Sequence, residues 1–314
     1  VANKTPQIVR EVKKFVPTKL NYAYQKQISF SQFSTYIQCP HKWALMYRDG
    51  HYKSEVSIHM TFGTSMHETI QHYLDVMYNQ STAAADRINL EEYFEDRLRE
   101  NYKKDYEQNK KEHFSNSIEL REFFEDGKAI LEWFKKKKKM YFSQRGWWLA
   151  GIEVPILIAF NPVYKNILYK GYIDVVMYCE RSNKIKLIDI KTSTRGWKEK
   201  EKTDETKLMQ LVLYKKFFAE QFNFPIDDIE IEYFIVKRKQ HNHPDYPNSR
   251  IQTFAPASGK VKLNKTTKAI NEFVEKTLDQ EGKHKADPMI KLPSKNCTYC
   301  PFNNSPELCD KGLS

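Results

Sequence analysis

Asp174 lies inside the apolar stretch YIDVVMY, Asp189 lies inside KLIDIKTS, and Lys191 follows Asp189 by two positions. Side chains alternate faces along a strand, so Asp189 and Lys191 share one. If the two stretches form a hairpin across the polar ERSN, Asp174 joins them there. An isolated D-x-K triplet is usually a wet ion pair at a strand end. Three charged residues in register within two apolar strands ask for more, because buried unpaired charge is costly. Facing carboxylates repel unless a cation lies between them, and Mg²⁺ or Mn²⁺ suits such hard oxygen ligands. A water on that cation would be a nucleophile for a phosphoryl centre. Lys191 would orient the water or stabilise charge developing on the phosphate.

The elements that must position these groups follow from period and punctuation. GIEVPILIAF, ILYKGYIDVVMY and KIKLIDIKTS are apolar and β-branched, separated by turn chemistry in NPVYKN and ERSN. They predict an antiparallel three-stranded meander over residues 147–192. Ahead of it, residues 29–47 and 57–78 carry helical spacing, the first with Ser and Thr near its start, and residues 90–141 read as charged helix. After it come a helix over 205–222, a strand IEIEYFIVKRK, a further strand around RIQTFA and a helix over 260–280. This order predicts an α/β fold, a mixed central sheet flanked by helices, with an N-terminal helical region and a Cys-rich C-terminal tail. The chain divides into a basic lead-in (1–28), a helical region (29–145), a core (146–285) and the tail (286–314).

YIDVV followed by DIK resembles the core of the PD-(D/E)XK nucleases, whose fold is restriction-endonuclease-like. The resemblance assigns Asp174 as the first acid, Asp189 as the second and Lys191 as the lysine; Ile173 stands where that family often has proline. FGTSMHETI resembles the G-x-x-x-H helix of the RecB-like branch, with the match on His67. QLVLY resembles its Q-x-x-x-Y helix, with matches at Gln210 and Tyr214, which share a helix face. The order along the chain, rather than any single match, carries the resemblance. It implies metal ligation by His67, Asp174, Asp189 and the Ile190 carbonyl, with Gln210 and Tyr214 placing the strand to be cut. Glu153 in GIEVPI is an accessory candidate, since RecB-like proteins often carry an acid on the strand before the first Asp.

Cys297 and Cys300 form a C-x₂-C, Cys309 follows nine places later, and Cys39 stands far upstream in CPHKWAL. If the tail returns to the first helix, four thiolates meet, a set that suits Zn²⁺ or an iron–sulfur cluster. The arrangement resembles the iron–sulfur subgroup of RecB-like nucleases, which implies a structural [4Fe–4S] cluster on Cys39, Cys297, Cys300 and Cys309, with zinc as the alternative. Cys179 is left over, as packing.

Lys+Arg outnumber Asp+Glu by 51 to 40, a net charge of +11, which favours a polyanionic partner. The lysines at 135–139 either track phosphates or form a solvated helix face. Arg195 and Trp197, directly after the D-x-K strand, are DNA-contact candidates, and VKRKQHNH (236–243) adds positive charge. No apolar run approaches the roughly 20 residues that cross a bilayer, and the start lacks the apolar core of a secretory signal. A cytoplasmic setting is expected, with no membrane partner and a helicase or recombination protein as a candidate associate. The resemblance implies a metal-dependent exonuclease acting on single-stranded DNA ends. The rivals are a non-catalytic DNA-binding subunit and a nuclease of the same fold acting on RNA or junctions.

Overall fold

The computed structural model describes residues 5–17, 26–51, 56–143, 145–240, 249–303 and 305–310. Helix α1 (Gln7–Lys14) opens the described chain, where the sequence pointed to an unpatterned lead-in. Ile8, Val9 and Val12 make one apolar face that is buried against the sheet. Eight residues are too short a window for that face to stand out from its lysines.

β1 (Lys26–Ser29) follows, and Ser29 caps α2 (Phe30–Gln38) by accepting the Gln32 N–H. Cys39 separates α2 from α3 (Pro40–Trp43), which runs on as a wider π-type turn over Ala44–Arg48. Ser57 caps the long α4 (Ile58–Asn79) in the same way, accepting the Met60 N–H. α5 (Thr82–Arg87) follows, and the charged helical region of residues 90–141 resolves into α6 (Leu90–Gln108) and α7 (Ser117–Lys137). Gly127 lets α7 approach α6: a Cβ there would lie 2.2 Å from the Phe94 ring. Of the lysine run, Lys138 is buried on Asp86 at 2.7 Å and Lys135 donates to the Ile88 carbonyl. Lys136, Lys137 and Lys139 are exposed.

The meander forms as read: β2 (Trp147–Ala159), β3 (Ile167–Cys179) and β4 (Lys184–Ser193), each antiparallel to the next. After α8 (Glu199–Lys202) and α9 (Glu205–Gln221), β5 (Ile229–Lys237) pairs parallel with β4. β6 (Ile251–Phe254) is antiparallel to β5, α10 (Lys260–Thr277) follows, and β1 pairs parallel with β3. The result is a six-stranded mixed sheet. One face buries Tyr169 and Tyr233 in a cluster with Phe217 and Phe218 of α9 and Phe273 of α10; the other buries Val175, Ile190 and Phe234 against Phe62 and Phe134 of α4 and α7. This is the α/β, restriction-endonuclease-like core, a sheet flanked by helices beside an N-terminal helical region. Among the described residues no helix is long and apolar enough to cross a membrane.

Candidate active site

The ladder between β3 and β4 ends at Val175↔Ile188. One step further the strands splay, and that step holds Asp174 on β3 and Asp189 on β4. Asp174 Oδ2 accepts the Ile190 N–H at 2.6 Å, so a carboxylate replaces the strand partner at the break. Asp189 is 2% exposed and faces Lys191, whose Nζ lies 2.7 Å from its Oδ2. Among the described residues no other group meets that oxygen, so the Lys191 ammonium alone compensates it. Lys191 Nζ also donates to Gln210 Oε1 at 3.1 Å, and Gln210 Nε2 donates to the Tyr214 hydroxyl at 3.3 Å. Thus the α9 pair and the β4 lysine form one connected chain. It is fitted closely: a Cβ on Gly171 would lie 2.7 Å from the Tyr214 ring.

From the other face, α4 brings His67, with Nδ1 3.7 Å from Asp174 Oδ2. Gly63, one turn earlier, lets α4 sit on β4: a Cβ there would meet Thr192 Oγ1 at 3.1 Å. Gln71, one turn after His67, donates to Glu153 Oε1 at 2.6 Å and to the Asp174 carbonyl at 3.1 Å. No motif in the sequence marks Gln71. Its signal is a polar residue four positions from His67, on the apolar side of a helix.

Burial sets the electrostatics. It raises Asp174 well above the usual carboxylate range, helped by Asp189 and Glu153 and opposed by Lys191 and the Ile190 N–H. It raises Asp189 too, against the pull of Lys191. Burial alone would lower Lys191, but the Asp189 carboxylate overrides it and keeps the ammonium charged. His67 is pushed down to about 4, by burial first and by Lys191 second, so it is neutral at pH 7. Burial and Asp189 push the Tyr214 phenol up, so it stays protonated.

The cofactor expectations are corrected. Among the described residues no group of three or more His, Cys, Asp or Glu is placed to hold a metal ion. The Mg²⁺ or Mn²⁺ expected on His67, Asp174, Asp189 and the Ile190 carbonyl does not fit the donor set. Asp189 is balanced by Lys191, and Asp174 Oδ2 is committed to a backbone N–H. The [4Fe–4S] cluster, and zinc as its alternative, are corrected on the same finding. Cys39, Cys297, Cys300 and Cys309 do line one cavity of about 40 Å³, and all are free thiols. The Cys297 sulfur, however, accepts the Ser294 N–H at 3.4 Å within its own turn. The tail is held to α3 by polar bonds instead: the His41 imidazole meets the Leu308 carbonyl at 2.8 Å, and the His41 N–H donates to Ile290 O.

Glu153 is exposed. Arg195 is exposed in the loop after β4. Trp197 packs on Tyr233, with ring centroids 4.6 Å apart, and its backbone is bonded on both sides by Gln252. Of VKRKQHNH, residues 241–243 lie outside the described residues; Arg238 is drawn onto Glu122 and Asp126 of α7.

Against protein-family models, residues 27–305 match the PD-(D/E)XK nuclease superfamily. No curated protein matches. A crystal structure of a Eubacterium rectale protein, named as an exonuclease, overlaps with a TM-score of 0.43 at 12% identity, covering 83% of this chain and 85% of that one. An overlap of that degree carries no weight about function.

Proposed function

This chain belongs to the PD-(D/E)XK nuclease superfamily, and on that premise we propose that it hydrolyses phosphodiester bonds in DNA, acting on single-stranded ends, at the splayed strands that carry Asp174, Asp189 and Lys191. The observation that carries the reading is the connected set Asp189–Lys191–Gln210–Tyr214, with Asp174 one strand away and His67 beside it.

The side chains divide the work by charge and access. Hydrolysis needs positive potential where phosphate charge grows, held in place before the reaction. Lys191 is the cation of the site. Asp189 keeps it protonated, and Gln210 fixes the direction of its ammonium, so it meets a phosphoryl oxygen without rearranging. Tyr214, protonated, donates toward the same region. Neutral His67 sits against Asp174 and fills the α4 side. Arg195, exposed just beyond β4, extends the positive surface along a bound strand. The net charge of +11 favours the same polyanionic partner.

The test is cleavage by purified protein of end-labelled linear and circular single-stranded DNA, duplex DNA and RNA, across buffers of varied divalent-ion content. Asp189→Asn and Lys191→Ala preparations control for contaminating nuclease. The expected result is shortening of linear single strands by wild type alone. Cutting of circles replaces end-directed action with internal cleavage. Cutting of RNA alone replaces the DNA reading, and no cleavage of any substrate removes the enzyme.

A further inference from the structure

We propose that Gln71 is a positioning residue for Glu153, and that the Glu153 carboxylate it holds takes the proton of the attacking water. The inference rests on the nuclease reading above and adds to it the group that activates water.

The β2–β3 ladder pairs Ile152 with Val175 and Val154 with Ile173. That register sets Glu153 directly across from Asp174, and this is a pair the ladder skips. Glu153 has φ 48, a left-handed conformation that a residue with a Cβ rarely adopts. Such backbone persists only where its surroundings enforce it, and it gathers at functional sites. Gln71 lies at this point of the sheet. Gln71, 5% exposed, gives one N–H to Glu153 Oε1 and another to the Asp174 carbonyl. A single buried amide thus bridges the two strands at their break and fixes a carboxylate beside the first acid.

Access to solvent favours Glu153 as the base. Asp189 is 2% exposed and tied to Lys191 at 2.7 Å. Asp174 is 14% exposed, and its Oδ2 accepts the Ile190 N–H. Glu153 is exposed, and among the described residues no hydrogen bond reaches its Oε2. It is the most exposed carboxylate of the three, and its Oε2 is open to a water. In the step, the water oxygen bonds to phosphorus and its proton passes to Glu153. The bond from phosphorus to the leaving oxygen breaks, and that oxygen takes a proton from solvent. The two N–H donors of the Gln71 amide satisfy both acceptors. Methionine would fill the same volume and offer neither.

The experiment is steady-state cleavage by wild type, Glu153→Gln, Glu153→Asp, Gln71→Met and the double variant Gln71→Met/Glu153→Gln, with Tm measured for each. Glu153→Gln is expected to lower kcat about 10²-fold with KM unchanged, the size of a lost general base. Glu153→Asp recovers part of it. Gln71→Met lowers kcat about tenfold through misplacement, and the double variant is no slower than Glu153→Gln alone. Wild-type kcat in Glu153→Gln, with Asp189→Asn inactive, overturns the proposal and leaves the nuclease reading standing. Additive losses in the double variant overturn the coupling to Gln71. If Gln71→Met fails to fold, Glu153→Gln against Glu153→Asp decides the base by itself. A wild type that cleaves nothing removes the nuclease reading and this proposal together.

Discussion

The ammonium of Lys191 lies 2.7 Å from the carboxylate of Asp189, on the same face of one strand. Asp189 is almost wholly buried and Lys191 only about two-thirds so. The pair is therefore unequal: the acid depends on the lysine more than the lysine depends on the acid.

Lys191→Ala strands a buried carboxylate, whereas Asp189→Asn leaves an ammonium that can turn toward water. Breaking a buried pair costs about 3–5 kcal/mol, and the exposed part of Lys191 puts Lys191→Ala at the low end, about 3 kcal/mol. Denaturant unfolding should find Lys191→Ala the less stable variant, and both should lose about 10²-fold or more in cleavage. A more stable Lys191→Ala would contradict the asymmetry.

Gly171→Ala tests the fit of α9 over the site. The added Cβ would lie 2.7 Å from the Tyr214 ring, a buried group with little room to retreat. Overpacking of this kind costs about 1–3 kcal/mol. Because Tyr214 leads through Gln210 to Lys191, kcat should fall further than stability alone accounts for. Gly63→Ala, whose Cβ would only brush Thr192 Oγ1 at 3.1 Å, is the milder comparison. Equal kinetics in the two variants would remove the link from Tyr214 to the lysine.

Gly127→Ala probes the helical region apart from the site. Its Cβ would sit 2.2 Å from Phe94, a wholly buried ring, so α6 and α7 must separate. A loss of about 1–3 kcal/mol is expected by overpacking, recovered in part by Phe94→Leu in the same chain. Calorimetric Tm values for the single and double variants check this. A Gly127→Ala protein as stable as wild type would mean that the two helices are not in such close contact.

Stability should also fall on mild acidification. Burial lowers His284 from its ordinary 6.5 to about 4, with Lys26 and Arg48 adding to the effect. Its ring packs edge-on to Trp43 at 5.5 Å. The sign follows from linkage. Between pH 6.5 and about 4 the unfolded chain takes a proton on this histidine while the folded chain refuses it. Its contribution is thus intact above pH 6.5 and is lost as pH falls toward 4. His67 titrates in the same window with the same sign. Tm measured from pH 7 to pH 4.5 should drop, and His284→Phe should flatten the slope in part. An unchanged slope in that variant would show that His284 is not held neutral.

Much of the site was legible because it depends on local spacing. Asp189 and Lys191 are two apart, and a strand's period of two puts them on one face in any fold that keeps the strand. The hairpin before them is short, so Asp174 has few places to go. Gln210 and Tyr214 are one helical turn apart and act as a pair for the same reason. Gln71 was missed although His67, four residues earlier, was found. Nothing local says that a glutamine on α4 meets a glutamate on β2, 82 positions away. The cysteines show the converse. Their spacing fits a cluster, and the fold does bring all four to one cavity, yet their sulfur atoms do not close into a metal-binding group among the described residues.

By itself, the sequence determined the meander, the flanking helices and the charged residues set into apolar strands, because period and burial act over a few residues at a time. The tertiary structure alone decided that β1 lies parallel to β3, that α1 is a helix with a buried face, and that Gln71 of α4 reaches Glu153 on β2. Each of these turns on the free energy of bringing distant groups together out of water. Sequence spacing holds no information about distances set in that way.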